Sequence, residues 1–334
     1  MNPAPTLARL IESFFHRHLV QQRNATPATL ASYRDALRLL VRYAAERTAR
    51  PPCALAVADL DRDLVLDFLD HLERQRGNGV RTRNARLTAI RSFCRHVAAC
   101  DPGSLGVAQR LLAIPTKRTV SKPPRHLSAS ALTALLDAPD RQTARGRRDR
   151  ALLLFLARTG ARVSEAVGVD AADLRLEPPP QVLLRGKGRK ERLVPLAGDL
   201  VRTLQALCRE RGLGTHERRP VFVGARGERF TRFGVIHAVR RAVQRSAPDV
   251  PDLAAAAVSP HVFRHTLAMR FLRSGVDLVT IQAWLGHTQV ATTHRYAEAD
   301  VEMMREALDR AGVSAWPSAR FKPKDAVLRI LEGT

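Results

Sequence analysis

Apolar positions recur at intervals of three and four through the first third of the chain. Between Thr26 and Arg47, Leu30, Tyr33, Leu37, Leu40 and Ala44 fall on one helical stripe, with Arg34, Arg38 and Arg42 between them. Thr26 followed by Pro27 is a start signal, because a hydroxyl can accept a first-turn N–H and proline fits the first helical position. From Val80 to Ala98 the pattern repeats with Leu87, Ile90, Cys94 and Val97, ringed by Arg81, Arg83, Arg86, Arg91 and Arg95. Helices are therefore expected throughout residues 1–114.

Periodicity then stops. Residues 115–127, within IPTKRTVSKPPRHL, hold three prolines and two lysines and read as a basic linker. A second domain is expected over 128–311. It opens with SASALTALLDA, a short helix with Ser128 as its cap. RDRALLLFLARTG is too uniformly apolar for a surface helix and should be buried, with Gly160 ending it in a left-handed conformation. At QVLLRGKGRKERLVPL two β-rich runs flank a Gly-Lys-Gly turn, which predicts a hairpin. Helical patterning returns until about residue 311 and leaves 312–334 as a tail. The fold class expected is mainly α with a small antiparallel β-sheet.

Charge narrows the class of partner. A formal net charge of +23 over 334 residues exceeds what solubility needs and points to a polyanion, nucleic acid before membrane surface. No apolar run reaches the roughly 18 residues of a membrane span. The four cysteines, Cys53, Cys94, Cys100 and Cys208, have no CxxC spacing and suit reduced thiols in a cytosol. The expectation is a cytoplasmic, nucleoid-associated protein. Basic residues are overwhelmingly arginine, and lysine occurs only at Lys117, Lys122, Lys187, Lys190, Lys322 and Lys324.

The segment SPHVFRHTLAMR, residues 259–270, places His261, Arg264 and His265 on little more than one helical turn. Three readings compete for it. A metal site has the right His261–His265 spacing but lacks the glutamate of HExxH, and Arg264 would repel a divalent ion. A packed helix end accounts for Phe263 and Leu267, and for His265 as a donor to a backbone carbonyl. A phosphate grip accounts for His261 and Arg264 on adjoining faces, and it demands more: a second guanidinium, a nucleophile, and an acid for the leaving oxygen.

Four segments in order carry a resemblance that meets this demand. TGARVSEAVGV (159–169), GKGRKERLVPL (186–196), HVFRHTLA (261–268) and WLGHTQVATTHRYAE (284–298) together resemble the tyrosine recombinases, or phage-type integrases. The match spans the second domain, and the first resembles the family's helical, SAM-like core-binding domain, which clamps DNA. The resemblance implies that Arg162 and Arg264 hold the scissile phosphate and that Tyr296 attacks it. Lys187 would protonate the leaving 5′-oxygen, His261 would take the tyrosine proton, and His287 would hydrogen-bond the phosphate. Glu165, one turn past Arg162, would orient the cluster. Physical chemistry is consistent with these roles: a phenol with a pKa near 10 gains from nearby cations, and lysine can serve as an acid where arginine cannot.

The same resemblance implies neither metal nor nucleotide cofactor. It implies double-stranded DNA sites as partner, a homotetramer on two sites with a dimer on each, accessory or partner recombinases, and docking of 312–334 on a neighbouring protomer. Backbone contacts to DNA are expected from Arg81, Arg83, Arg86, Arg91, Lys117, Lys122, Arg189 and Lys190. The function implied is site-specific recombination of the integrase or transposase type through a 3′-phosphotyrosyl intermediate. A Xer-type resolvase, a type IB topoisomerase and a non-catalytic DNA-binding regulator are the alternatives. The compact helical first domain argues against the topoisomerase, and the complete residue set argues against the regulator.

Overall fold

The computed structural model describes residues 5–119, 126–186, 190–214, 216–248, 250, 253 and 258–286. By its contacts the chain forms two compact units, Met1–Ser121 and Lys122–Thr334.

The first unit is built from helices. Helix α1 (Leu7–Ser13) runs on as a π-helical stretch, Phe14–Gln22, and is followed by α2 (Pro27–Thr48), α3 (Arg62–Arg74), α4 (Val80–Cys100) and α5 (Leu105–Leu112). The predicted start of α2 is observed, with the Thr26 hydroxyl accepting the Thr29 N–H at 3.3 Å and Pro27 in the first turn. Its stripe packs inward: Leu37, Leu40 and Ala44 are buried, and Leu30 and Tyr33 lie partly buried against the same core. Leu87, Ile90, Cys94 and Val97 of α4 join them, together with Phe14, Phe68 and Leu72. Pro115 and Lys117 stay with this unit, since the Pro115 carbonyl accepts from Arg83 and Asn84 is bonded to both the N–H and the carbonyl of Lys117.

The second unit begins with α6 (Ala129–Asp137), whose cap Ser128 accepts the Ala131 N–H at 3.2 Å. Helix α7 (Ala144–Thr159) is buried along most of its C-terminal half, as its continuous apolar run requires. Gly160 ends it at φ +62°, and a Cβ there would lie 2.7 Å from Leu285 Cδ2. Helix α8 (Val163–Gly168) leads into an antiparallel sheet of β1 (Leu174–Arg175), β2 (Gln181–Arg185) and β3 (Glu191–Pro195). The hairpin was legible in the sequence, whereas β1, two residues long, has no periodicity to reveal it. Register pairs Val182 with Val194 and Leu184 with Arg192, so those four share the inward face. Helices α9 (Gly198–Glu210), α10 (Arg232–Ser246), α11 (Pro260–Arg273) and α12 (Leu278–Leu285) complete the described residues. Phe155, Phe222, Val235 and Phe263 belong to the core around α7. No helix among the described residues is long and apolar enough to cross a membrane.

Candidate active site

Three segments far apart in sequence meet at the C-terminal end of α12. The first is the N-terminus of α8. Arg162 precedes the helix with extended backbone, and Glu165, three residues on, accepts the Arg162 N–H at 2.8 Å. A carboxylate in the first turn also answers the positive end of the helix dipole. The Arg162 side chain folds back on the same carboxylate, Nη1 donating to Oε1 at 2.7 Å, while Nη2 donates to the Gly286 carbonyl at 3.1 Å. About 31% of that side chain remains exposed, on a cleft described below.

The second segment is α11. Pro260 occupies its first turn, His261 follows, and Arg264 lies three residues on. Phe263 and Leu267 are buried, as expected of residues that dock the helix. Arg264 is only 3% exposed; its guanidinium donates to the Gly160 carbonyl at 2.7 Å and to the Leu285 carbonyl. Arg162 and Arg264 are thus fixed on the carbonyls of neighbouring residues, 286 and 285. Gly286 takes φ +64° to end α12, and a Cβ there would sit 2.9 Å from Nη1 of Arg192.

The third segment is β3. Arg192 donates through Nη1 and Nη2 to the two oxygens of Glu165, at 3.1 and 2.8 Å, and through Nε to the Trp284 carbonyl at 2.9 Å. The Trp284 indole N–H in turn donates to the Thr159 carbonyl at 3.2 Å. Arg192 received no role from the sequence, although its motif was recognised. The available signal was strand alternation: it shares a face with Val194, and a cation on a buried face requires a partner.

Burial alone would push the Glu165 carboxyl upward. Hydrogen bonds and charge from Arg192 and Arg162 outweigh that and hold it down to about 2, so it is ionised throughout the physiological range.

A cleft of about 700 Å³ opens beside this cluster, within the second unit, lined by Arg162, Ser164, Arg232, Arg240, Ser259 and His261 among others. Arg232 and Arg240 come from one face of α10, separated by Ile236 at helical spacing. The pKa of His261 is lowered, first by partial desolvation in the cleft wall and then by the positive fields of Arg264, Arg162 and Arg232. Its place in the first turn of α11 acts in the same direction. His261 is therefore neutral near pH 7 and able to accept a proton. His265, one turn further along, is half-buried with its ring 6.4 Å from that of His261.

The structure thus gathers Arg162, Glu165, His261 and Arg264. Lys187, Arg189, Lys122, His287, Tyr296 and the 312–334 tail lie outside the described residues. The expected DNA-facing residues divide. Arg81 and Lys190 are exposed. Arg86 is half-buried and paired with Asp35, Arg91 donates to the Ile114 carbonyl, and Lys117 is paired with Glu73. Arg83 corrects the expectation: it is 3% exposed, turned under α4 towards Glu73, and cannot meet a phosphate from there. The sequence misplaced it because it borders the apolar stripe of α4, where three- and four-residue spacing leaves its side ambiguous.

Residues 125–303 match the phage integrase family and residues 11–99 its N-terminal SAM-like domain. The chain belongs to the phage integrase family. It is 60% identical over 262 residues to y4rD of Sinorhizobium fredii, named as an integrase/recombinase, covering 78% of this chain and 93% of that one. It is 41% identical to y4rC of the same organism, named likewise, over 99% of each. The tyrosine recombinase XerC of Pelobacter propionicus is 36% identical over 89% of this chain and 93% of its own. The fold is that of XerH site-specific recombinase in its post-cleavage complex with a palindromic difH substrate, at TM-score 0.69 and 22% identity, covering 89% of this chain and 83% of that one. The Tn1549 transposon integrase with transposon right end DNA gives a TM-score of 0.68 at 16% identity, covering 92% and 100%. This phage integrase family member is a site-specific DNA recombinase, an enzyme that cuts and rejoins DNA strands.

Proposed function

We propose that the chain integrates or moves a mobile element by exchanging strands at specific DNA sites, with Arg162 and Arg264 gripping the scissile phosphate. One observation carries the assignment of the two arginines: they are anchored on adjacent carbonyls, those of Gly286 and Leu285. Guanidiniums fixed on neighbouring peptide units make one cationic patch, suited to the non-bridging oxygens of a phosphodiester as charge develops there.

In the proposed step the Tyr296 hydroxyl oxygen attacks phosphorus, and its proton passes to neutral His261. The bond from phosphorus to the 5′-oxygen breaks, and that oxygen takes a proton from Lys187. His287 hydrogen-bonds the phosphate. The products are a 3′-phosphotyrosyl bond and a free 5′-hydroxyl. The reverse step, with a 5′-hydroxyl from a second site, rejoins the strand; one phosphodiester is broken and one made, so no energy source is required. The enzyme would work in the cytoplasm as a homotetramer on two double-stranded sites, a dimer on each, with residues 312–334 of one protomer docked on the next. Arg81, Lys122, Arg189 and Lys190 would contact the DNA backbone.

Relatives named as integrase/recombinase support the mobile-element reading. Relatives named XerC favour a second one, resolution of chromosome or plasmid dimers. Sequencing DNA junctions in cells that express the protein separates the two: new element–target junctions are expected, and junctions confined to a site repeated in a dimer would favour resolution. A nicked duplex carrying the mapped crossover should then trap a covalent adduct on a denaturing gel. Tyr296→Phe is expected to abolish the adduct and leave DNA affinity within about threefold; an undiminished adduct would remove Tyr296 as the nucleophile.

A further inference from the structure

We infer that Arg192 is a positioning residue for strand cutting: it sets the orientation of Arg162 through Glu165 and touches no DNA itself. The inference rests on the reading that Arg162 holds the phosphate.

Arg192 is not among the residues that line the cleft, and its side chain is 12% exposed. It sits behind the site on the inward face of β3, opposite buried Leu184. From there it makes three bonds, two to the separate oxygens of Glu165 and one to the carbonyl of Trp284. Only a guanidinium supplies parallel donors to a carboxylate and a further N–H to a third acceptor; a lysine ammonium is a point charge. Glu165, whose side chain is wholly buried, receives Arg192 on one side and both the N–H and the guanidinium of Arg162 on the other. The carboxylate is therefore a shared joint between a cation facing the cleft and a cation behind it.

Space is reserved for this arrangement. Any side chain at Gly286 would collide with the Arg192 guanidinium. The same Gly286 offers its carbonyl to Arg162, so Arg192 bounds Arg162 both through the carboxylate and through the turn. Without Arg192, Glu165 keeps one cationic partner and can rotate about it, and Arg162 loses its fixed bearing on the cleft. A displacement of about 1 Å in a group that binds a transition state costs on the order of 100-fold in rate.

The test uses the full-length protein and the nicked duplex carrying the mapped crossover, with either a normal phosphodiester or a methylphosphonate at the scissile position. A methylphosphonate lacks one charged oxygen, so its transition state asks less of a guanidinium. Relative to the unaltered protein on each substrate, Arg192→Gln is expected to slow adduct formation by about 100-fold on the phosphodiester and under about 10-fold on the methylphosphonate. Arg162→Gln should show the same contrast. Arg192→Lys keeps the charge, loses the fork, and should melt within a few degrees of the parent while slowing phosphodiester cleavage at least about 10-fold. Equal losses for Arg192→Gln on both substrates, with the contrast intact for Arg162→Gln, would reduce Arg192 to a structural residue. Equal losses for Arg162→Gln would instead remove the phosphate-holding reading. If Arg192→Gln does not fold, Arg192→Lys on the two substrates decides, and cleavage by Arg192→Lys at the parental rate overturns the inference.

Discussion

Arg83 in the first unit and Arg192 in the second are both cations taken almost wholly out of water, and the chain holds them differently. Arg83 leans towards Glu73 at 3.7 Å, its Nη1 makes only long bonds to the Asn84 side-chain oxygen at 3.2 Å and the Pro115 carbonyl at 3.5 Å, and its Nε has no hydrogen-bond partner. Arg192 meets both oxygens of Glu165 at hydrogen-bonding distance and gives its Nε–H to a main-chain carbonyl. A loosely paired buried cation contributes chiefly its hydrocarbon stem and its bulk. A cation whose three nitrogens all donate to fixed acceptors sets the direction of its neighbours. The same residue type is thus loosely held in one unit and acts as framework in the other, and the two should respond differently to substitution.

Arg264→Ala should give the largest effect. It leaves the Gly160 and Leu285 carbonyls short of a donor in a buried place, so a stability loss of about 3 kcal/mol by urea titration is expected, with adduct formation down about 1000-fold. Retained cleavage would mean that this cation, like Arg83, is only packing. His261 comes next. Because its charged form is disfavoured, cleavage should hold its rate as pH falls and decline only below the ordinary imidazole value of 6.5. His261→Gln should lose about 100-fold at pH 7 and the acid limb with it. An acid limb at or above 6.5 in the parent would place the proton acceptor elsewhere.

How much of this could be read beforehand follows from the kind of signal each part leaves. Periodicity along one helix revealed α2 and α4, an unbroken apolar run revealed α7, and two β-rich runs around a Gly-Lys-Gly turn revealed the hairpin. The motifs led to Arg162 and Arg264 because their chemistry is written in residue type. The work of Arg192 is written in a contact between residues 165 and 192, and no pattern within one strand displays a partner from another element. Arg232 and Arg240 escaped notice for the same reason, since their cleft exists only once α8, α10 and α11 converge.

The first unit supplies the smaller effects. Arg81 is exposed, so Arg81→Ala should weaken DNA binding a few-fold and reduce the salt slope of affinity by about one, read from fluorescence anisotropy at several salt concentrations. An unchanged slope would take Arg81 off the backbone. Arg83→Met should do least. Glu73 and Asn84 both keep Lys117 as a partner, the exposed Pro115 can turn its carbonyl to water, and an apolar side chain of similar volume suits the site, so stability should move by less than about 1 kcal/mol and DNA affinity by less than about twofold. A large stability loss there would erase the distinction between the two arginines.

The turn at Gly286 limits how this enzyme can change. Its carbonyl is committed to one guanidinium, the preceding carbonyl to another, and its missing side chain leaves room for a third. Adaptation to a new target sequence therefore has little latitude at the end of α12 and must be found on surfaces that none of these cations touch.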